Sequence, residues 1–433
     1  MLLGKQMPLR VLKSKVGSEL SSPEDEVMKA ERLREYYFEV GPIRPPNEGQ
    51  DRSLLIRATR NCPWNRCEFC PTYKGRRFEY RSVEEVKRDI EAAKVIGEEL
   101  KLASWRLGLG GRVDETLLNF LIRSNPEIYG RDSESPEVVF ARLQSLINVA
   151  SWLSSGARTV FLQDANSLIM RTPELVEVIK YLKQTFPSIE RVTSYARAKT
   201  AAKKSLEELK ELREAGLSRL HIGLESGCDE VLQDVKKGVT AEEHIRGGRK
   251  VVEAGISLSE YVMPGLGGKR WTEKHAVETA WVLNQINPDF IRLRSLVLRE
   301  DMPLYRKFES GEFIPLSEDE VVEEIRLFIE HLNCRSYLAS DHIANLLPEI
   351  EGQLPQDKQS MLELIDKYKS MSLGERLSFI LKRRLNSYLA IHGRIEAGLN
   401  EKIEEAFESI EREIPEAETK VNAVVSLLKR RFI

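Results

Sequence analysis

Cysteine is scarce in this chain. Five occur among 433 residues, and three of them crowd into one short stretch, Cys62 to Cys70. An odd, clustered set cannot form the paired bridges that staple small secreted domains. Long apolar runs are also missing. None approaches the roughly 18 residues that a membrane-spanning helix requires, so no membrane partner is expected. The first residues, Met1 to Pro8, lack the apolar core of a secretory leader. Neither sign of charge dominates: 66 Lys and Arg stand against 68 Asp and Glu, for a formal charge of −2. That balance gives no global argument for a nucleic-acid or membrane-surface partner, and nucleic acid is not expected to bind. A reducing, cytoplasmic setting is the expectation. The length leaves room for one large domain and one or two smaller ones.

What is present is concentrated in Asn61-Cys-Pro-Trp-Asn-Arg-Cys-Glu-Phe-Cys70, a C-x4-C-x2-C pattern. Three thiolates on one loop, Cys62, Cys67 and Cys70, can hold three corners of a metal site and leave the fourth open. A structural zinc site is normally closed by a fourth Cys or His. None of the six histidines lies nearby in sequence. An iron–sulfur cluster accepts thiolates readily, and an iron without a protein ligand can bind a substrate or cofactor.

The flanks carry strand and helix signals. Ser53 to Thr59 alternates as a short strand. Ser82 with Glu85 three residues on forms a capping box that opens a helix. Further strands are expected at 159–163, 191–195, 219–224, 257–263 and 290–296, with helices between them such as Pro173–Thr185 and Ser205–Ala215. Six strand–helix units argue for a parallel sheet with right-handed crossovers. The division expected is an N-terminal extension over 1–50, a core over 51–316 and a helical region over 317–433. The extension carries a polar helix near Pro23–Tyr37 and an extended Gly41–Pro46. The core contains a helical insertion at about 103–155, one arm of which starts at Ser135 with Pro136 in the first turn.

The cysteine loop on a strand-to-helix connection resembles the radical S-adenosylmethionine (SAM) superfamily. Phe69 stands where that family places an aromatic residue before the last cysteine. The first gap is one residue longer than the usual C-x3-C-x2-C. The segment His221-Ile-Gly-Leu-Glu-Ser-Gly227, followed by Asp229-Glu-Val-Leu and Lys236-Lys-Gly238, is similar to the branch containing the oxygen-independent coproporphyrinogen III oxidases. The fold the resemblance implies is α/β: a partial (β/α)6 TIM-like barrel with a helical insertion and a helical C-terminal region. The cofactors it implies are a [4Fe–4S] cluster on Cys62, Cys67 and Cys70, and SAM chelated to the open iron. Reductive cleavage of SAM would yield a 5′-deoxyadenosyl radical that takes hydrogen from an unidentified substrate. An electron donor such as ferredoxin or flavodoxin is then a partner.

By position, the resemblance passes SAM-binding roles to Glu225 and Lys237. Asp164, at the end of the second strand, is a polar candidate for the SAM amino group, with a helix-capping role as the alternative. Ser194 and Arg197 at the end of the third strand suit ribose or carboxylate, or are a packed strand end with a surface Arg. Gly265, in Met263-Pro-Gly-Leu-Gly-Gly268, permits close backbone approach to a ligand or makes a tight turn. No catalytic side chain is assigned. Ser340-Asp-His-Ile-Ala-Asn345 reads as a capped helix start, with a substrate-lining role as the alternative. The apolar strip Val321, Val322, Ile325, Phe328, Ile329 and Leu332 reads as core. Tyr73, Lys74, Arg76 and Arg77 read as a solvated loop, with contact to an acidic substrate as the alternative. Two other functions stay in play: a non-catalytic iron–sulfur or zinc-binding barrel scaffold, and, more weakly, RNA modification.

Overall fold

The computed structural model describes residues 32–46, 52–130, 134–412 and 416–432. Most of the expected N-terminal polar helix lies outside the described residues. Its end is a single turn, Arg32–Glu35. Residues 41–46 contain no helix or strand. Pro42, Pro45 and Pro46 remove backbone donors and keep the segment extended.

Eight strands form one sheet. In chain order they are β1 (Leu54–Arg57), β2 (Thr159–Gln163), β3 (Arg191–Ala196), β4 (Leu217–Glu225), β5 (Ser257–Val262), β6 (Phe290–Leu293), β7 (Tyr337–Ala339) and β8 (Glu351–Gln353). Spatial order follows chain order. Every neighbouring pair is parallel except β7 with β8. The six expected strand–helix units are thus present, in a mostly parallel α/β sheet. The two outermost strands do not pair with each other, so the barrel is open.

The helices that cover the sheet begin with α1 (Val83–Arg106), which carries the Ser82–Glu85 capping box. Next come α2 (Glu115–Ser124) and α3 (Pro136–Ser154), which sit where a helical insertion was expected. The α3 helix starts with Ser135 as N-cap and Pro136 in the first turn. It also lies against the open side of β1, where Asn148 Oδ1 accepts the Leu55 N–H at 3.1 Å. The set continues with α4 (Thr172–Thr185), α5 (Leu206–Ala215), α6 (Ala241–Glu253) and α7 (Gly268–Ile286). The α8 helix (Glu318–His331) buries Val321, Val322, Ile325, Phe328 and Ile329, the apolar strip read as core. Finally, α9 (Lys358–Lys369), α10 (Leu373–His392), α11 (Ala397–Glu411) and α12 (Ala417–Lys429) close the chain.

Strand period decides what faces the barrel interior. Register aligns Tyr195 with His221, His221 with Ser259, and Gly223 with Tyr261, which in turn aligns with Arg292. These residues share the inner face, because alternate side chains point to the same side. Leu162, Ser194, Leu220 and Ile222 share the outer face, beneath the helices.

Residues 317–433 are mostly helical, as expected, with two short strands, β7 and β8, that extend the sheet beyond the sixth unit. Each is only three residues long, too short for alternation to reveal. Residues 340–349 form turns and bends, not a capped helix. Their polar side chains bond across the fold instead. Asp341 pairs with Arg292 at 2.8 Å, and Asn345 Oδ1 accepts from both N–H and Oγ–H of Ser295 at 2.9 Å.

Candidate active site

The cysteine loop leaves β1 at the C-terminal end of the sheet, where α/β barrels place their chemistry. Asn61 and Asn65 take positive φ of 68° and 48°. Asn tolerates that conformation better than most residues. The loop is fastened at several points. Asp164, fully buried just past β2, accepts from Arg57 Nε at 2.7 Å, the Asn61 N–H at 2.9 Å and Tyr73 Oη at 2.7 Å. The Glu68 N–H reaches Val235 O at 2.9 Å, and Glu68 O accepts from Leu304 N–H at 3.0 Å. Burial pushes the Glu68 carboxyl up, but Lys236 and Lys307 outweigh it and hold the group below its ordinary value.

Trp64 joins this loop to the segment after β4. Its Nε1–H donates to Lys236 O at 2.7 Å. A Cβ on Gly238 would lie 2.1 Å from the Trp64 ring, so only glycine fits there. Arg197 stacks over the same ring at 5.0 Å and donates to Lys237 O at 2.6 Å. Burial raises the Cys67 thiol above its ordinary value, while the Lys237 and Arg197 charges pull the other way. Cys228 packs in the apolar cluster beneath the loop with Phe69, Leu266 and Leu304. Burial pushes its thiol up to about 12, so it is a core residue.

Do three thiols here fit a cluster? A structural zinc site is closed by a fourth Cys or His, and the loop has none; three thiols with the fourth position open suit a multi-iron cluster.

Glu225 closes β4 with a positive φ of 63°, after a register shift between Gly223 and Glu225. A bulge of this kind re-aims a side chain. The Glu225 carboxylate meets Lys237 Nζ at 2.9 Å, and that ammonium also lies 5.4 Å from the Phe69 ring centre. Burial works against the Lys237 charge, but Glu225 and Cys67 outweigh it and raise its pKa. So Arg197, Glu225 and Lys237 converge beside the cysteine loop. Ser194 does not. It points to the outer face and spends its hydroxyl on Leu162 O at 3.1 Å and Tyr195 O at 3.0 Å. Strand parity gives the inward position to Tyr195. Asp164 is near the loop, yet its acceptors are already engaged in holding it.

Gly265 has φ of 85°, and its N–H donates to Glu324 Oε1 at 2.6 Å. Glu324 also accepts from Thr272 Oγ1 at 2.6 Å and approaches His275 Nε2 at 3.6 Å. His275 Nδ1 lies 2.8 Å from Ser226 Oγ. This buried network ties the turn after β4 to the turn after β5. Sequence reasoning missed Glu324 and His275, which come from α8 and α7. A buried Glu inside an apolar strip was the available signal.

Residues 126–280 match the family described as the Radical SAM superfamily. The cysteine loop precedes the matched segment. A tRNA uridine(34) acetyltransferase of Methanocaldococcus infernus is 26% identical over 122 residues, which cover 28% of this chain and 23% of that protein. A probable threonylcarbamoyladenosine tRNA methylthiotransferase of Methanocaldococcus jannaschii is 23% identical over 171 residues, covering 38% and 39%. This chain therefore spans less than a quarter of the acetyltransferases it matches. Among solved structures, the Methanocaldococcus infernus Elp3 with an N-terminal deletion aligns at TM-score 0.39 and 16% identity, over 54% of this chain and 60% of that one. Proteins of the Radical SAM superfamily bind a [4Fe–4S] cluster and SAM. The chain thus carries a Radical SAM superfamily segment, residues 126–280, and upstream of it a loop of three thiols that follows the first strand of a mostly parallel α/β sheet.

Proposed function

We propose that the chain removes a hydrogen atom from a substrate held at the C-terminal mouth of the barrel, with Cys62, Cys67 and Cys70 as cluster ligands. The observation that carries this reading is the convergence of that loop with Arg197, Glu225 and Lys237. When bound, the reduced cluster supplies the electron that splits SAM and gives the 5′-deoxyadenosyl radical. The chain's own residues bind and orient. Lys237 offers an ammonium to a carboxylate, and Glu225 offers an acceptor to an amino or ribose hydroxyl group. The Ser226–His275–Glu324 network fixes the turns that face them. Trp64 and Phe69 flank the charged groups and exclude water.

The test uses protein purified without oxygen, reconstituted with iron and sulfide, reduced with dithionite and given SAM. 5′-Deoxyadenosine should form. Ala at any one of Cys62, Cys67 or Cys70 should abolish it and the cluster absorbance, with the fold retained. Full iron content and full activity in all three variants would refute the site. Zinc in place of iron would favour the scaffold alternative.

One observation favours an RNA substrate as a second reading. Arg66, Arg76 and Arg77 are exposed beside the cysteine loop, near the exposed ring of Tyr80. Two of the relatives above carry names of tRNA-modifying enzymes. Filter binding to tRNA across a salt series should then show affinity falling steeply with salt, and reduced slope in Arg76→Ala and Arg77→Ala. No binding at low salt would end that reading.

A further inference from the structure

The inner face of the barrel carries an aromatic array. Phe161 meets Tyr195 at 5.2 Å between ring centres, Tyr195 meets His221 at 5.6 Å, and Tyr195 meets Tyr261 at 6.0 Å. The Tyr195 and Tyr261 hydroxyls lie 3.4 Å apart. Arg294 lies over this array, with its guanidinium carbon 4.4 Å from the Tyr261 ring centre. Its backbone continues the line of β6, donating to Val262 O at 2.9 Å, so its side chain emerges at the mouth.

Burial works against the Arg294 charge, but Tyr261, Tyr195, Glu225 and Asp341 outweigh it and raise its pKa, although neither carboxylate is bonded to it. Asp341 pairs with Arg292 at 2.8 Å, and Glu225 pairs with Lys237 at 2.9 Å. Two carboxylates thus serve two other cations. Among the described residues, the Arg294 guanidinium makes the Tyr261 contact but no hydrogen bond and no ion pair. His342 offers no counter-charge. Burial, with Arg294 adding to it, lowers the imidazole to about 3, so the ring is neutral at ordinary pH. The Arg294 guanidinium thus stays charged with its five donors unspent among the described residues. The planar fork suits the two oxygens of a carboxylate or phosphate.

We infer that the substrate presents an anionic group, a carboxylate or a phosphate, to Arg294 at the barrel mouth, with its apolar part against Tyr195 and Tyr261. The inference rests on the reading of this mouth as the substrate site. Arg294 is then a specificity-determining residue, distinct from the Glu225–Lys237 pair beside the cluster loop.

The first experiment uses the full wild-type chain and inorganic phosphate. Phosphate should protect Arg294 from phenylglyoxal, read by peptide mass, while exposed Arg76 stays reactive. A second arm uses malonate as a dicarboxylate probe. Arg294→Gln should bind the protective anion about ten- to a hundredfold more weakly, the loss of a charged hydrogen-bonded pair. Arg294→Lys should recover part of the affinity. SAM binding, measured by equilibrium dialysis on the same reconstituted protein, should be unchanged in Arg294→Gln. Loss of SAM affinity in that variant would assign the anion to the SAM carboxylate and overturn the proposal. Absence of protection by both phosphate and malonate in wild type would overturn it as well. Substrate-free formation of 5′-deoxyadenosine separately tests the reading on which it rests, since that reaction does not need Arg294.

Discussion

Asp164 holds three donors, one from the end of β1 and two from the cysteine loop and the residues after it, and its charge faces Arg57 directly. Asp164→Asn keeps two acceptor contacts but removes that charge. It should lower stability by about 1.5–3 kcal/mol, read by urea unfolding, and reduce iron retained after reconstitution. Unchanged iron content would show that the loop holds itself. Glu225→Gln and Lys237→Ala should weaken SAM binding while iron content stays at the wild-type level. Equal SAM affinity in both variants would remove these residues from the SAM site. The cysteines stand out in sequence because all three lie within one loop, and Glu225 and Lys237 because a single short segment carries both. Ser194 was misplaced because its hydroxyl suggested a ligand, whereas strand parity hands the inner face to Tyr195. Arg294 was passed over because an isolated Arg has no local pattern. Only the pairing of its neighbours makes it stand out.

At the level of elements, Trp64 on Gly238 is the tightest of several contacts that join the connection after β4 to the cysteine loop. Gly238 has φ of 70°, and an added Cβ would strike the Trp64 ring. Gly238→Ala should displace the loop that carries Lys237. The expected outcome is weaker SAM binding together with slower cluster reconstitution, followed by visible absorbance. Wild-type behaviour on both counts would show the contact to be dispensable. Helix starts at Ser82 and Ser135 were legible because capping is local chemistry. The segment 340–345 was misread for the same reason. Ser and Asp resemble a cap in sequence, but Arg292 and Ser295, about fifty residues earlier, claim Asp341 and Asn345.

Across the whole molecule, Glu318 joins the C-terminal helices to the barrel. At the start of α8 its carboxylate accepts from Arg384 Nε of α10 at 3.1 Å and Lys429 Nζ of α12 at 2.9 Å. Arg384 also donates to Ile343 O and Asn345 O at 3.2 Å. Burial pushes the Glu318 carboxyl up, but Arg384 and Lys429 prevail and bring it down to about 2. Its folded pKa is therefore below the unfolded value of about 4.3. The pair contributes fully above about pH 4.3, and its contribution fades as pH falls toward 2. Urea unfolding across that window should steepen in wild type and flatten in Glu318→Gln. Glu318→Ala should cost about 3–5 kcal/mol at neutral pH by stranding buried cations. The parallel order of six strands was legible from alternating elements, whereas the final two strands were too short to read. Those two strands and α3 have one further effect. An unclosed sheet has two rims, and a bare rim invites intermolecular strand pairing. One rim is occupied by α3, where Asn148 takes the Leu55 amide. The other ends in the three residues Glu351–Gln353, flanked by Glu349 and Pro355. Openness here carries little risk of polymerisation, so the barrel can leave its seam unzipped without becoming adhesive.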